Sequence, residues 1–363
     1  MRRAAIGAVA SLAGACSILT SFDGIEPRSP IAVVDGAPDV VGDTGPDAAC
    51  LRTRWPDPPE GSDTAVDVGE LTSAVTQLRI LEPLAEGKIQ GFDLDGLCTC
   101  PDRPACIGPK PNEPCDTTDS GIDNAGDGLF QTFAAQGIAL DDMGLKTGIQ
   151  MGQYGVLIRI SGYNGEANDP ALKVAVFNAV AVNGDGGVPR NDGTDRWTVD
   201  SESLLDNRFP AYFSAKAYVA GGVLVADLLR VILRARIPTG PSSFSLLELD
   251  LRSAHLVARI GARSATGIVL EDGRIAGRIP APTLLAQGMR SGACRDSGVY
   301  EVLKPIVCAA RDLPFDPAQD GRDQSCESLS VGFGFTSAPA LIEVGSSTRV
   351  DTFPCSIVPD ECP

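Results

Sequence analysis

Hydrophobic and polar positions alternate in short runs from the middle of the chain onward. Tyr154–Ser161 (YGVLIRIS) and Ala171–Val182 (ALKVAVFNAVAV) are rich in β-branched residues and read as strands, the first ending in the turn composition Gly-Tyr-Asn-Gly. Lys216–Asp227 (KAYVAGGVLVAD) reads as two strands around a Gly-Gly hairpin turn. Val231–Ile237, Phe244–Arg252 and His255–Ile260 follow as further strands, and Gly267–Ile279 carries an Asp-Gly hairpin signal between alternating residues. Ser328–Phe335 (SLSVGFGF) alternates strictly, and Ala338–Val344 follows as a strand that pairs nearby. Helical spacing is confined to Leu129–Ile138, Pro280–Gly288 and Gly298–Leu313, and Pro305 inside the last predicts a kink. Val66–Glu82 fits either a strand or a helix. Many short strands joined by Gly-rich turns predict a mainly β fold, a β-sandwich or jelly roll with a few short helices, over residues 66–363 as one domain.

One stretch breaks this pattern. Gly91–Phe130 holds Cys98, Cys100, Cys106 and Cys115 and eight acidic residues against Arg103 and Lys110, and Gly and Pro interrupt it too often for a long helix or strand. It reads as a cross-linked, Asp-rich loop insertion, the block 91–130.

The N-terminus sets the destination. Residues 1–15 pair Arg2 and Arg3 with a short apolar run, a secretory signal too short to span a bilayer. Ala13, Gly14 and Ala15 lead into Cys16, which resembles the bacterial lipoprotein cleavage box with Ala13 where that pattern prefers Leu. The resemblance implies that Cys16 becomes the lipidated N-terminus, and Ser17 after it points to the outer membrane. Residues 16–65 are Pro-, Asp- and Gly-rich and read as an acidic tether. Trp55 in WPDPPEG, where order is expected to begin, is read as packing against the domain.

Cysteine parity fits the same picture. Of eleven cysteines, lipidation of Cys16 leaves ten for disulfides in an oxidising compartment: Cys50, Cys98, Cys100, Cys106 and Cys115 early, and Cys294, Cys308, Cys326, Cys355 and Cys362 late. Both groups are odd, so full pairing requires at least one bridge from early to late. The C-x-C start and the exported context favour disulfides over a zinc site on Cys98, Cys100, Cys106 and Cys115. The formal charge of −17 repels phosphate backbones and excludes nucleic acid as a partner.

Candidate chemistry is sparse. Asp93 and Asp95 alternate by two, and Asp123 and Asn124 add oxygen donors beside Gly121 and Gly126, a donor set that suits a divalent cation, calcium first. An EF-hand spacing is not met, since a loop starting at Asp123 has Ala125 third and Ala134 twelfth. The expectation is that Asp93, Asp95 and Asp123 converge, with Asn124 nearby. His255 is the single histidine and has no motif partner. In Leu247–Ser253 (LELDLRS), Glu248 and Asp250 match the first two carboxylates of the laminarinase-type jelly-roll glycosidases, but Arg252 and Ser253 stand where the third belongs. They are read as a solvated strand face, with a carbohydrate-active enzyme as the alternative.

The motifs GFDLDG (Gly91–Gly96), GIDN (Gly121–Asn124), LIRISGYNG (Leu157–Gly165) with Asn168–Asp169, and CESLSVGFGFTS (Cys326–Ser337) resemble, in style and order, uncharacterised exported lipoproteins of the myxobacterial type. That resemblance implies an extracytoplasmic lipoprotein and carries no activity. The expected function is a non-catalytic lipoprotein, on the surface or facing the periplasm, held to the membrane through its N-terminal lipid. Its role is structural, adhesive or ligand-binding (carbohydrate or protein), with calcium as a stabiliser.

Overall fold

A computed structural model describes residues 54–61, 66–79, 90–97, 105–108, 121–135, 142–182, 187–238, 244–265, 267–321, 323–347 and 355–363. Cys16, Cys50, Cys98, Cys100, Cys115, the signal segment and all of the tether except residues 54–61 lie outside these.

The protein is mainly β. Its strands are β1 (Leu71–Arg79), β2 (Gly155–Ser161), β3 (Asp169–Ala181), β4 (Arg196–Asp200), the short β5 (Leu204–Leu205) and β6 (Phe209–Pro210), β7 (Tyr212–Ala220), β8 (Val223–Pro238), β9 (Phe244–Arg263), β10 (Ile268–Pro280), β11 (Ser328–Pro339) and β12 (Leu341–Ser347). Among the described residues four helices accompany them: α1 (Ala125–Ala135), α2 (Asp142–Gln150), α3 (Ala281–Arg290) and α4 (Gly298–Ala309). The large sheet runs β12-β4-β3-β2-β1-β11-β10-β9-β8-β7, and β7 pairs again with β3. Eight strands therefore form a ring with antiparallel pairing at every seam. Such closure pairs each of these eight strands on both sides and limits the free edges that otherwise invite aggregation to β12 and the unpaired stretches of the β7–β8 seam. One edge of β3 is shared: Asp169–Val176 pair with β7, and Ala179–Ala181 pair with β4. The β4–β12 ribbon, itself parallel, continues from there.

Alternation explains both covered faces of the ring. On β2, Val156, Ile158 and Ile160 enter the main core, while Leu157 packs outward with Phe177, Val199 and the fully buried Trp197. The Gly-Gly signal folds as expected. Gly221 and Gly222 both adopt positive φ (58° and 80°), the conformation a tight hairpin needs and other residues rarely take.

Two sequence expectations are corrected. Asp272-Gly273 is not a hairpin. The chain runs straight through it, because Glu271 and Arg274 both pair with β9 and Gly273 pairs with β11. Asp272 takes φ 47° within a register shift, so the turn-like dipeptide forms a bulge. Likewise, the runs read as separate strands at Val231–Ile237, Phe244–Arg252 and His255–Ile260 belong to the two long strands β8 and β9. The core side holds Leu224, Ala226 and Leu228 and then Val231, Leu233 and Ala235 on β8; on β9 it holds Leu247, Leu249 and Leu251 and then Ala254, Leu256 and Ala258. Each pattern slips by one residue, at Leu229 and at Ser253, where the ladder skips both and Ser253 has φ 46°.

Helices close the rest. α2, which the periodicity does not single out, packs against both β1 and β8, four places apart around the ring, and so spans its opening. α3 lies against β9 and β10 and supports α4. The C-terminal segment is strapped to this helical pair by Cys294–Cys355 and Cys308–Cys362, and Asp360 accepts from Tyr300 Oη and Lys304 Nζ, both at 2.8 Å. A third bridge, Cys106–Cys326, joins an early cysteine to a late one across 220 residues and fastens the acidic loop near the start of β11. The root of the N-terminal segment also docks. Trp55 stacks on His255 with centroids 3.9 Å apart and meets Phe92 edge-on, and Tyr218 Oη donates to the Pro56 carbonyl at 2.6 Å. His255 is not isolated: its Nδ1 lies 2.7 Å from Asp227 Oδ1.

Candidate functional site

The acidic loop is seated by β11. In SLSVGFGF, Leu329, Val331, Phe333 and Phe335 fill the core, which leaves Ser330, Gly332 and Gly334 on the outer face. A Cβ at Gly332 would fall 2.5 Å from the Gln90 carbonyl oxygen and 2.6 Å from Gly91 Cα, so only glycine lets the backbone of 90–91 lie against the strand. From there Phe92 forms a two-residue bridge with Asp123, whose N–H donates to the Phe92 carbonyl at 3.0 Å. The bridge brings the two acidic motifs together.

Asp93, Asp95 and Asp123 each offer a carboxylate oxygen, and these oxygens lie within 4.8 Å of one another. Two oxygens bound to one calcium ion can stand at most about 5 Å apart, twice the metal–oxygen distance, so the spacing fits a single cation. Asp93 and Asp123 are buried and Asp95 is half-buried. The same carboxylates also order the loop: Leu94 N–H and Asp95 N–H donate to Asp123 Oδ2, Gly96 N–H to Asp93 Oδ1 and Leu97 N–H to Asp95 Oδ1. Arg54 Nε approaches Asp93 Oδ2 at 3.4 Å. Buried Arg278 donates to Asp320 and to the Leu94 carbonyl. Burial raises the Asp320 pKa, Arg278 opposes that rise, and the negative charge of Asp93 adds to it.

Asn124 ties the surrounding elements together. Its Oδ1 accepts from Asp127 N–H, capping α1, and from Gly332 N–H, while its Nδ2 donates to the Gln90 carbonyl at 2.7 Å. It joins α1, the loop and β11. Sequence reasoning missed Arg54 and Arg278. WPDPPEG pointed to the docking of the segment that carries Arg54, whereas no local signal marks Arg278.

The second candidate, the Glu248–Asp250 pair, corrects an expectation. These residues are not a solvated face: they are 3% and 4% exposed. Side chains from α3 reach Glu248 directly, and Arg234 links it to Asp200 and Glu202. β7 pairs with β8 only from Tyr218 to Ala220, and beyond that point Asn178 of β3 fills the gap, donating to the Ile232 carbonyl and accepting from Arg234 N–H. Arg234 Nε meets Glu248 at 2.7 Å, its Nη1 meets Asp200 at 3.2 Å, and Nη2 contacts Glu202. Arg290 and Gln287 from α3 take the other oxygen of Glu248. Asp250 is bracketed by Arg230, through two bonds of 2.7 and 2.8 Å, and by Arg252. Burial pushes the Tyr212 phenol up to about 12; Arg230 opposes this, and Asp250, Glu248 and Asp200 reinforce it. A carboxylate whose oxygens are both held by guanidinium and amide donors is poorly placed to transfer a proton to a glycosidic oxygen or to attack a sugar.

No family model, curated protein or solved structure matches this chain.

Proposed function

We propose that this chain is a non-catalytic, extracytoplasmic lipoprotein of the outer membrane. Calcium bound in its acidic loop stabilises it, and its role is structural, adhesive or ligand-binding. The observation that carries the reading is the approach of Asp93, Asp95 and Asp123 to within 4.8 Å in a loop already fixed by β11 and by Cys106–Cys326. Gathering three carboxylates costs repulsion, which a bound cation removes. Asp93, Asp95 and Asp123 would hold the ion, and its contribution would be to stability. The disulfides support an oxidising compartment. The arginines on Glu248 and Asp250 weigh against the glycosidase alternative.

Calcium added to a chelator-stripped sample at about a hundredfold over its Kd is expected to add about 2.7 kcal/mol of stability. For a protein of this size that is a rise in Tm of about 5 °C. Asp95→Ala is expected to abolish the rise. An unchanged Tm across the titration would leave the loop as a hydrogen-bonded acidic turn and nothing more. The anchor is tested separately, by mass spectrometry of the native N-terminus. A diacylated or triacylated Cys16 is expected; a mature chain that starts elsewhere overturns the anchor.

A further inference from the structure

The bridges Cys106–Cys326, Cys294–Cys355 and Cys308–Cys362 use all five late cysteines and one early one. With Cys16 set apart for the lipid, Cys50, Cys98, Cys100 and Cys115 are left. Their number is even, so they can pair among themselves with no thiol over. All four lie outside the described residues, and the described chain beside them narrows the possible pairings.

Arg54 stands four residues after Cys50, and Gly96 two residues before Cys98. These two neighbours meet. Arg54 Nε lies 3.4 Å from Asp93 Oδ2, and its Nη2 occupies the space that a Cβ on Gly96 would fill. Trp55 meets Phe92 edge-on with centroids 5.5 Å apart. An extended chain covers about 3.5 Å per residue, so from this contact Cys50 has a reach of about 14 Å, Cys98 of about 7 Å and Cys100 of about 14 Å. A bridge needs Cα atoms about 5.5 Å apart, well inside those reaches. Cys115 lies between Cys106 and Asp123, which are fixed in the same loop by the bridge to Cys326 and by the pairing with Phe92. A bridge between Cys98 and Cys100 would span a single residue, storing strain and removing the least chain entropy. With that bridge set aside, every remaining pairing joins Cys50 to the C-x-C pair.

We infer that Cys50 is bridged to one of Cys98 and Cys100, and Cys115 to the other. From the reading above this takes only the oxidising compartment and the lipid on Cys16; it is independent of calcium. Each bridge forms when two thiols lose two protons and two electrons to a disulfide-bearing oxidant of the exported compartment, itself reduced to a dithiol. The root of the N-terminal segment and the acidic loop then form one covalent unit. Docking of Arg54 on Asp93 and of Trp55 on Phe92 becomes intramolecular over a short linker, which raises its effective concentration.

The test is peptide mapping of the full exported chain, digested with pepsin in acid, where thiolates are absent and disulfides do not exchange. One linked pair is expected to join Cys50 to the segment that holds Cys98 and Cys100, and a second to join that segment to Cys115. Cys50→Ser is expected to expose one thiol to maleimide in the denatured chain, at Cys98 or Cys100. That thiol at Cys115 instead, a Cys98–Cys100 bridge, or Cys50 bonded to a second chain overturns the inference. Four reduced thiols beside the three intact bridges overturn it too and leave the compartment reading standing. Reduction of all ten cysteines overturns both.

Discussion

Arg234→Ala is expected to lower the free energy of unfolding by about 3–5 kcal/mol, the range for breaking a buried ion pair from one side. Arg234 is 7% exposed, and it joins Asp200 and Glu248, at 1% and 3% exposure, to the exposed end of Glu202. Without it Glu248 keeps Arg290 and Gln287, but Asp200 loses its guanidinium in a site that water does not reach. The loss also removes a side chain that fills the gap where β7 leaves β8. Equilibrium denaturation measures the cost as a shift in midpoint at constant slope. Arg230→Ala is the control, since that side chain is 44% exposed and Arg252 remains on Asp250; its cost is expected to be about 1 kcal/mol. Equal costs for the two variants would mean that the network is screened throughout.

Removal of the Cys106–Cys326 bridge, by serine at both positions, is expected to cost about 3–5 kcal/mol. The bridge closes 220 residues, against 54 for Cys308–Cys362. If chain entropy dominates, the longer closure contributes about 1 kcal/mol more than the shorter one. Unfolding of the two double-serine variants in urea gives the order directly. A larger loss from the shorter bridge would show that native contacts of the C-terminal strap, not loop closure, set these values.

What was legible in the sequence was local. YGVLIRIS and SLSVGFGF announced strands because their inward residues are apolar on every second position, and Gly221–Gly222 announced a hairpin because two positive φ angles suit glycine. GFDLDG and GIDN announced convergence through their matching acidic character, although the two-residue bridge at Phe92 and Asp123 that joins them leaves no such mark. Phase slips misled. The leucines of β9 change parity at Ser253, so one strand read as two, and Asp272-Gly273 looks the same in a bulge as in a turn. The buried network was illegible for a different reason. Glu248 alternates with leucines as any solvent-facing residue would, and the groups that cover it lie far off in sequence, Arg290 42 residues on and Asp200 48 residues back, as the numbering gives. The capping bond of Asn124 was illegible because an asparagine before a helix serves as a cap as readily as a ligand.

The docked root of the N-terminal segment has a mechanical consequence. A pull on the chain upstream of residue 54 meets Arg54 on Asp93, then Trp55 between Phe92 and His255, then the Pro56 carbonyl under Tyr218. His255 belongs to β9 and Tyr218 to β7, while Phe92 belongs to the loop that Cys106–Cys326 fastens near β11. The load is thus spread over three separate places on the ring instead of being delivered to the end of β1. β1, which follows in the chain and would otherwise be unzipped from its end one rung at a time, is shielded until the tryptophan slips.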